Sequence, residues 1–535
     1  MNASASGTIP PRSPFIPEIS STYTRYPKIH IMKTRSHPDT WRSLRLRTKL
    51  ARSVKKSCLS LLAPAIIVST TANIQAQSSA SLYHWRGESS SDWNTSGNWN
   101  FGDTQTPATT SPQSNPTANN RRVLFTNDVD FLTANRTINL ASDVALATSS
   151  SEANPSFEVR AGDFTFNMEG NDLSFYRMVI GSTNSAHPDA STVFQSSVAG
   201  STVTLNALTL LSNGSTGNTF VMGSIFGNNV TASFVGNGPL AIRSSADSGT
   251  YAVDMAGRNM AFSAMTFGAS VSDEVKVSFI NSDAAGSTIT FNNLTLNNAS
   301  QFGGGHKLFG NNITATTGGA GTFTVAGTGG NNVAIDLNGQ SLGFTTMNFG
   351  SGTNAMGKFA FTNSAASPST VTFRNLSFTS TDAWGSTLNF DELFGTNVTA
   401  QQSQAGTFSI GSNGGIAQNI DLRGTSITTT NTTLGSLGSN AGTIHFINTD
   451  SETPATITYG GLSVRDASGY NGNLHNIFGS NVTGVKSATA GAFGIGTTGG
   501  IATTFDVGGA IDEFYLTDLG QRCRRFNGLP LHQLG

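Results

Sequence analysis

The chain has 535 residues and a formal net charge of −1, and only 11% of its residues are charged, whereas glycine occurs 59 times. Small polar residues favour turns and strand surfaces over long helices, because they hydrogen-bond to their own backbone and pack little apolar area. The 34 phenylalanines and the low net charge exclude intrinsic disorder for the bulk of the chain.

Charge is distributed unevenly along the chain. Residues 1–76 contain 12 Lys/Arg but only two acidic residues, Glu18 and Asp39. Residues 77–535 contain 18 Lys/Arg and 29 Asp/Glu, a net charge of −11. Nucleic-acid binding needs a basic surface, so nucleic acid is not predicted as a partner of this mildly acidic region.

The N-terminal basic residues precede a short apolar segment. The cationic stretch at 44–56 is followed by CLSLLAPAIIVSTTA at 58–72. This order predicts that residues 1–76 are a long basic n-region and a Sec signal peptide, cleaved after Ala76 or, alternatively, after Ala72. The apolar stretch is shorter than a membrane-spanning helix, so no integral membrane domain is predicted, although an uncleaved anchor is the alternative. We therefore expect a protein that is secreted or lies at the cell surface.

Residues 77–139 form a block that contains three closely spaced tryptophans: Trp85, Trp93 and Trp99. Two interpretations are open for them. They fill a small core or close the end of a β-helix, or they contact glycans, because flat aromatic faces suit the apolar faces of sugars.

The same block carries a resemblance to a known family. A W-x-G motif, a second Trp, an N-W pair, a Pro-containing loop and a V-x-F strand follow one another within residues 82–128. The matching residues are Trp85, Gly87, Trp93, Asn98, Trp99, Val123 and Phe125. This resembles the start of bacterial surface and secreted proteins with autotransporter-associated β-strand repeats. The resemblance implies export, a β-helical passenger and a cell-surface or extracellular role, and it brings no catalytic residues. The sequence departs from the family in showing neither the strands of a membrane barrel nor a basic sorting helix.

Residues 140–509 are dominated by a repeat of about 84 residues. The phrase FGNNVT at 226–231 returns as FGNNIT at 309–314, FGTNVT at 394–399 and FGSNVT at 478–483. Between the phrases, β-branched and aromatic residues alternate with polar ones, and Gly, Asn and Ser clusters bound each run. This pattern predicts short strands with one buried face in four repeats and a partial fifth, and no helix after residue 77.

The predicted fold is an all-β repeat solenoid. We expect a right-handed parallel β-helix in which each repeat makes about four coils of ~21 residues that stack on their neighbours. The alternative is a string of β-sandwich domains of ~85 residues each. The repeats share no Trp, Cys or Pro-rich linker, which favours the solenoid.

Four aspartates occupy one position of the repeat: Asp254, Asp336, Asp421 and Asp506. Calcium-binding β-rolls need Asp in consecutive Gly-rich nonapeptides. Copies four coils apart would lie ~19 Å from one another and could not share an ion. An Asx-type turn hydrogen bond is therefore the predicted role, and no metal or cofactor is predicted.

No catalytic residue is predicted. GIGTTG at 494–499 satisfies G-x-G-x-x-G, but a dinucleotide site needs a helix directly after the glycines. The densest acidic segments, DEL at 391–393 and SDE at 272–274, have no recurring basic partner of the kind a polysaccharide lyase or hydrolase would use. His445 and His475 show no ligand spacing.

The last segment, residues 510–535, abandons the composition of the repeats. It gathers Arg522, Cys523, Arg524 and Arg525 in one short run. A frameshifted or truncated gene would give this change, and so would a native cap, because the terminal units of solenoids are atypical.

Together these features predict a secreted, non-enzymatic β-helical repeat protein that acts as a surface-layer, extracellular-matrix or adhesin-like component. The alternative is a β-helix that binds glycans or processes polysaccharides. Extracellular polysaccharide and other surface proteins are the candidate partners.

Overall fold

A computed structural model describes residues 82–497, apart from the segments 102–107, 109–110, 113–121, 127–132, 135, 147–156, 183–189, 213–217, 236–237, 245–247, 269–273, 319, 351–355, 413–416, 436–442, 467–476 and 489–490. The predicted signal peptide and the atypical tail of 510–535 lie outside the described residues.

The described chain consists mainly of short strands. The strands are β1 (Leu82–Trp85), β2 (Trp99–Phe101), β3 (Arg122–Thr126), β4 (Thr137–Asn139), β5 (Val144–Ala145), β6 (Phe157–Asn167), β7 (Leu173–Ile180), β8 (Ala190–Gln195), β9 (Ser201–Ser212), β10 (Asn218–Val221), β11 (Val230–Phe234), β12 (Leu240–Ser244), β13 (Ser248–Asp254), β14 (Met260–Phe267), β15 (Glu274–Ile280), β16 (Ser287–Leu296) and β17 (His306–Lys307). They continue with β18 (Ile313–Thr317), β19 (Thr322–Val325), β20 (Val333–Asp336), β21 (Leu342–Gly343), β22 (Thr346–Phe349), β23 (Phe359–Thr362), β24 (Ser369–Phe373), β25 (Asn375–Ser380), β26 (Thr387–Asn389), β27 (Val398–Gln402), β28 (Gly406–Ser412), β29 (Gln418–Asp421), β30 (Ile427–Leu434), β31 (Ile444–Ile447), β32 (Ala455–Asp466), β33 (Val482–Lys486) and β34 (Phe493–Thr497). Single helical turns are α1 (Met222–Ile225) and α2 (Phe390–Leu393), with 3-10 turns at Ser96–Asn98 and Asp382–Trp384.

These strands form a parallel β-solenoid, consistent with a right-handed β-helix. Among the described strands, every pairing is parallel except that of β1 with β2. Sandwich domains are built from antiparallel sheets, so the parallel pairing confirms the solenoid and not the string of sandwiches.

Each coil of the solenoid has three faces. Face 1 contains β18, face 2 contains β19 and face 3 contains β20, each with its stacked equivalents. Longer strands bend from one face into the next: in β16, Ser287–Phe291 pairs with β18 on face 1, and Leu294–Leu296 pairs with β19 on face 2. We call the turn between face 3 and face 1 the polar corner; in one repeat it comprises residues 254–257, 281–286 and 310–312.

Each repeat makes three coils, so the expectation of four shorter coils was wrong. On face 2, Leu294 pairs with Phe323, Phe323 with Met347, and Met347 with Leu376. Leu294 and Leu376 occupy the same position of successive repeats, so three steps from coil to coil complete one period. The strand pattern underestimated the length of a coil because it carries no information on the length of the loops between faces 2 and 3. One of these loops covers residues 297–305.

The inward side chains form one continuous apolar core. The phenylalanine that opens the repeated phrase stacks on rings from two other strands. The Phe309 ring centroid lies 5.9 Å from that of Phe279 and 5.8 Å from that of Phe291. Since burying a Phe side chain contributes roughly 1.5–3 kcal/mol, these aromatic stacks are a major source of cohesion between coils.

The rest of the phrase makes a tight turn at the polar corner. The Gly310 amide donates to the Phe279 carbonyl at 2.8 Å, and a Cβ on Gly310 would lie 3.0 Å from that oxygen. Asn312 has φ 57°, in the left-handed region that Asn tolerates better than most residues. The same conformation occurs at Asn229, Asn397 and Asn481. The phrase therefore recurs because one coil in three turns in this way.

Candidate functional site

The three tryptophans of the N-terminal block pack together inside the solenoid. Trp85, Trp93 and Trp99 are 1%, 0% and 0% exposed. The Trp99 ring lies edge-on to both others, with centroid distances of 4.9 Å to Trp85 and 4.8 Å to Trp93. Phe125 packs against all three rings.

Their polar atoms are also used internally. Trp93 Nε1 donates to the Pro112 carbonyl at 2.9 Å, and Trp99 Nε1 donates to the Trp93 carbonyl at 2.8 Å. Stacking on a sugar requires an exposed ring face. None of the three rings has one, so the structure places these residues in the core and gives no geometric support to glycan contact.

The repeated aspartates lie at the polar corner and accept hydrogen bonds from two coils. Asp254 Oδ1 accepts from the Ala256 amide at 3.0 Å, which is an Asx-type turn, and from the Ser282 amide of the next coil at 2.9 Å. Asp336 accepts from Asn338 and Ser364 at 2.9 Å each. These carboxylates therefore connect coils as well as closing turns.

Asp421 makes the same pair of contacts, with the Arg423 amide at 3.3 Å and the Thr449 amide at 3.0 Å. It also accepts from the Thr449 hydroxyl at 2.5 Å. Asp506 lies outside the described residues. With three coils per repeat, neighbouring copies are ~14 Å apart at one strand spacing per coil, still too far to share an ion.

The hydrogen bonds shift the acidity of two of these groups. Burial alone would raise the pKa of Asp254, yet the hydrogen bonds from Ser282 and Ala256 outweigh it and hold the pKa below its usual range. For Asp336 burial also raises the pKa, and the bonds from Ser364 and Asn338, with Lys307 nearby, again lower it overall. Both carboxylates act as charged acceptors within the fold.

Sequence reasoning missed an asparagine that completes the polar corner. Asn281 Oδ1 accepts from the Gly257 amide at 2.9 Å, and its Nδ2 donates to the Asn312 carbonyl at 3.2 Å. Asn281 thus connects three successive coils: the turn that contains Asp254, its own coil, and the coil whose repeated phrase contains Asn312. Asn363 and Asn448 do the same in later repeats. The recurrent text INSD, TNSA and INTD was the available signal.

The predicted acidic segment DEL lies at α2 and is engaged in ion pairs. Asp391 accepts from Arg423 Nε at 2.6 Å, and Glu392 accepts from Lys358 Nζ at 2.8 Å. Both pairs are solvent-exposed and contribute little individually. Of SDE at 272–274, only Glu274 falls within a described strand.

Other candidate motifs are dispersed. Residues 494–497 of GIGTTG belong to β34, a strand, which does not match the strand-to-helix turn of a dinucleotide site. His445 lies on β31, on face 3, and His475 is outside the described residues. His306 is partly buried, with its Nε2 2.7 Å from the Val277 carbonyl oxygen, and burial lowers its pKa to about 4, so it is neutral at physiological pH.

Within the described segments of 82–497, no group of three His, Cys, Asp or Glu side chains is arranged to hold a metal ion. The helices in this part of the chain are all too short or too polar to traverse a bilayer.

The most regular surface feature is a pair of residue rows on face 1, which we call the threonine rows. The row nearer the polar corner contains Thr288, Thr314, Ser341, Thr370, Thr399, Ser426 and Thr456. The second row contains Thr290, Thr316, Gly343, Thr372, Gln401, Thr428 and Thr458. Every member is at least partly exposed, and none is charged.

The alternation of the strands places these residues outward. In β16 the burial pattern alternates, so Ile289 and Phe291 fill the core while Thr288 and Thr290 face solvent. In-register pairing then stacks Thr288 on Thr314 and Thr290 on Thr316. Where the strands of face 1 pair, the result is a two-dimensional array with ~4.8 Å between coils and ~6.7 Å along each strand.

A second surface feature is a polar groove of about 530 Å³ near the polar corner of the first repeat. Its lining includes Asn167, Glu169, Gln195 and Ser197. Gln195 Nε2 donates to Asn167 Oδ1 at 2.7 Å, and Ser197 Oγ donates to Glu169 Oε2 at 2.9 Å. The groove offers amide and hydroxyl groups and one carboxylate.

Comparison with known proteins adds no assignment. No protein-family model, no curated protein and no solved structure matches this chain.

Proposed function

We propose that this chain is a secreted, non-enzymatic display protein of the surface-layer, extracellular-matrix or adhesin-like type. The observation that carries the proposal is the pair of threonine rows, a long uncharged hydroxyl surface held on a solenoid scaffold. Export is supported by the basic segment and the apolar segment at 58–72.

The solenoid is better suited to presenting a fixed binding surface than to catalysing a reaction. Adjacent coils share backbone ladders, aromatic stacks and the Asp and Asn bonds of the polar corner, so the outward rows are fixed in register. The acidic side chains of α2 pair with Arg423 and Lys358 and do not converge on a common cleft. We expect binding through many weak, repeated contacts along the face.

Export is tested by following the chain in cells with a functional Sec pathway. The wild-type chain is expected outside the cytoplasm with a new N-terminus close to residue 77. Ile67→Arg places a charge in the apolar segment and should retain the full-length chain inside, whereas Ile31→Arg, upstream of that segment, should leave export unchanged. A wild-type chain that stays in the cytoplasm with residues 1–76 attached would overturn the proposal.

The polar groove favours a second candidate, binding of an extracellular polysaccharide. Amide and carboxylate groups such as those of Gln195 and Glu169 are suited to hydrogen-bonding sugar hydroxyls. The test is co-sedimentation with insoluble polysaccharides, comparing the wild-type chain with Gln195→Ala and with Asn348→Ala, a change of a partly exposed amide on face 2, outside the groove and the threonine rows. Loss of binding in the first variant alone would support this function, and equal binding in both would dismiss it.

A further inference from the structure

The threonine rows have the geometry of a crystal lattice. Their members repeat in two nearly perpendicular directions, at ~4.8 Å from coil to coil and ~6.7 Å along each strand. Water oxygens on a prism plane of ice also repeat in two perpendicular directions, with spacings of similar size. A protein surface with such a repeat can hold an ordered water layer that continues into the crystal.

We propose that face 1 of the repeats binds ice, through the threonine rows. This inference deepens the proposed display function by naming what the displayed face binds, and it does not depend on export.

The chemistry of the threonine side chain supports this occupant. Each Thr offers a hydroxyl that can replace a lattice water and a methyl group that limits the positions of neighbouring waters. Thr is branched at Cβ and has few accessible rotamers, so little side-chain entropy is lost on binding. Thr314, Thr316 and Thr399 are among the most exposed members of the rows.

The absence of charged side chains from the threonine rows also favours ice as the ligand. The rows from Thr288 to Thr458 contain only Thr, Ser, Gly and Gln. An ammonium or carboxylate group would keep its own hydration shell and disrupt an ordered water layer. Polysaccharide surfaces, in contrast, are commonly recognised through aromatic platforms, and the rows have no aromatic member.

Backbone pairing keeps the array in register within three segments of face 1: β16 with β18, β21 with β24 and β27, and β30 with β32. Between these segments a glutamine side chain replaces the backbone pairing: Gln340 bonds to the backbone of Ile313 and Ala315, and Gln402 bonds to that of Thr428. Where the third coil of each repeat departs from Thr-x-Thr, its small polar side chain bonds to the next coil. Ser341 Oγ accepts from the Thr370 amide at 2.9 Å, Ser426 Oγ accepts from the Thr456 amide at 3.0 Å, and Asn259 Oδ1 accepts from the Thr288 amide at 2.7 Å. Each of these side chains therefore bonds its coil to the Thr-x-Thr coil that follows it.

The experiment measures the purified full chain in two ways: its enrichment in slowly grown ice, and the gap between the melting and freezing temperatures of a single ice crystal. The wild-type chain is expected to enter the ice fraction and to open a gap. Thr314→Lys with Thr316→Lys should abolish both effects. The matched control is Thr322→Lys with Thr324→Lys, which adds the same charge at the same spacing in the same coil but on face 2, and it should behave as wild type.

Circular dichroism verifies that both lysine pairs keep their strand content. If the face 1 pair unfolds, Thr314→Ser with Thr316→Ser serves in its place; removing only the methyl groups should reduce the gap.

Exclusion of the wild-type chain from ice, or unchanged ice binding of a folded face 1 variant, would overturn the inference. Binding to crystalline cellulose or chitin without binding to ice would also overturn it and would assign face 1 to a polysaccharide. Neither result bears on the export test, so failure of this inference is distinguishable from failure of the display function.

Discussion

The first coils and the later repeats are both stacked coils of one solenoid, but different kinds of contact stabilise them. On face 2, Tyr83 pairs with Val123, Val123 with Phe157, and Phe157 with Met178, and the length of chain between partners shortens at each step. In the repeats, the number of residues between successive partners on face 2 varies much less, because each coil follows nearly the same path as its neighbours.

The first coils rely on large side chains and a buried charge cluster. The antiparallel strand β2 covers the outer side of β1, and the three tryptophans fill the interior behind it. Glu158 is paired with Arg122 and with Arg160, the latter at 3.0 Å. Burial raises the pKa of Glu158, but the two guanidiniums outweigh burial and lower it overall. In the part of the chain described after residue 180, neither the tryptophan cluster nor the Glu158 charge cluster returns at the repeat period.

The repeats are instead stabilised by small features that recur in each of them. These are a stacked Phe, a Gly that lies close to a neighbouring carbonyl, an Asn in the left-handed conformation and an Asp that accepts the hydrogen bond of a turn. Each contact is modest, but each is renewed in every repeat. The comparison shows that a solenoid can be stabilised by a few large contacts where a coil is unique, and by many small ones where coils are alike.

The largest expected effect is at the tryptophan cluster. Trp99→Ala removes the ring that contacts both other indoles, and we expect it to lower the free energy of unfolding by about 3–5 kcal/mol. Thermal unfolding followed by circular dichroism and by tryptophan fluorescence measures this. Phe101→Ala is the control, since Phe101 is 38% exposed on the same strand and should cost much less. Equal losses in the two variants would contradict the account of the first coils.

The next effect concerns the close approach in the repeated phrase. A Cβ on Gly395 would lie 2.9 Å from the Phe361 carbonyl, which also accepts the Gly395 amide at 2.8 Å. Gly395→Ala should therefore destabilise the chain by about 1–3 kcal/mol, as overpacking does. Gly303→Ala is the control, because a Cβ there would meet no atom within 4 Å. Chemical denaturation of the two variants measures the difference, and a larger loss of stability in Gly303→Ala would contradict the role of this close approach.

A smaller effect tests the polar corner through pH. Hydrogen bonds lower the folded-state pKa of Asp336. Its contribution to stability is therefore full above the unfolded-state pKa of about 3.9 and is lost as pH falls through the folded-state value. Asp336→Asn should cost about 1 kcal/mol at neutral pH and weaken the dependence of stability on pH in the acid range. Asn is accommodated at the equivalent position, Asn167, in the first repeat. Denaturation across acid and neutral pH measures this, and an unchanged acid dependence would contradict it.

The smallest effect concerns a buried hydroxyl at the start of face 1. Ser287 is 1% exposed, and its Oγ has no hydrogen-bond partner among the described residues. Ala455 occupies the equivalent position in a later repeat. Ser287→Ala should therefore be neutral or stabilise the chain by up to about 1 kcal/mol, and Ala455→Ser should destabilise it by a similar amount. Urea denaturation of this reciprocal pair measures both, and a stabilising Ala455→Ser would contradict the account.

Much of the fold could be predicted from the sequence, because the signals are local. The alternation in STITFNNLTL predicts β16 and its buried face, and the phrase spacing predicts the period of the repeat. The number of coils per repeat could not be predicted in this way. It depends on loops such as 297–305, whose length is not constrained by a strand pattern.

The surface features depend on register, and register is a long-range property. The sequence contains Thr-x-Thr at 288–290 and at 314–316, but it does not show that the two pairs stack on one another. The burial of the tryptophans likewise depends on Phe125 and Pro112, which are distant in sequence from Trp85 and Trp93. The contact from Asp254 to Ser282 joins two coils and could be predicted only once the coil length was known.

Each repeat makes three coils, and this coil count sets the register of the threonine rows. The most direct test is a distance measurement by pulsed electron spin resonance between labels at Thr288→Cys and Thr456→Cys, in a chain whose Cys58 and Cys523 are replaced by Ser. These two positions lie two repeats apart in one row. Six coils separate them in this structure, which predicts a distance centred near about 29 Å. A distance near about 38 Å would mean eight shorter coils, and would contradict both the coil count and the array built on it.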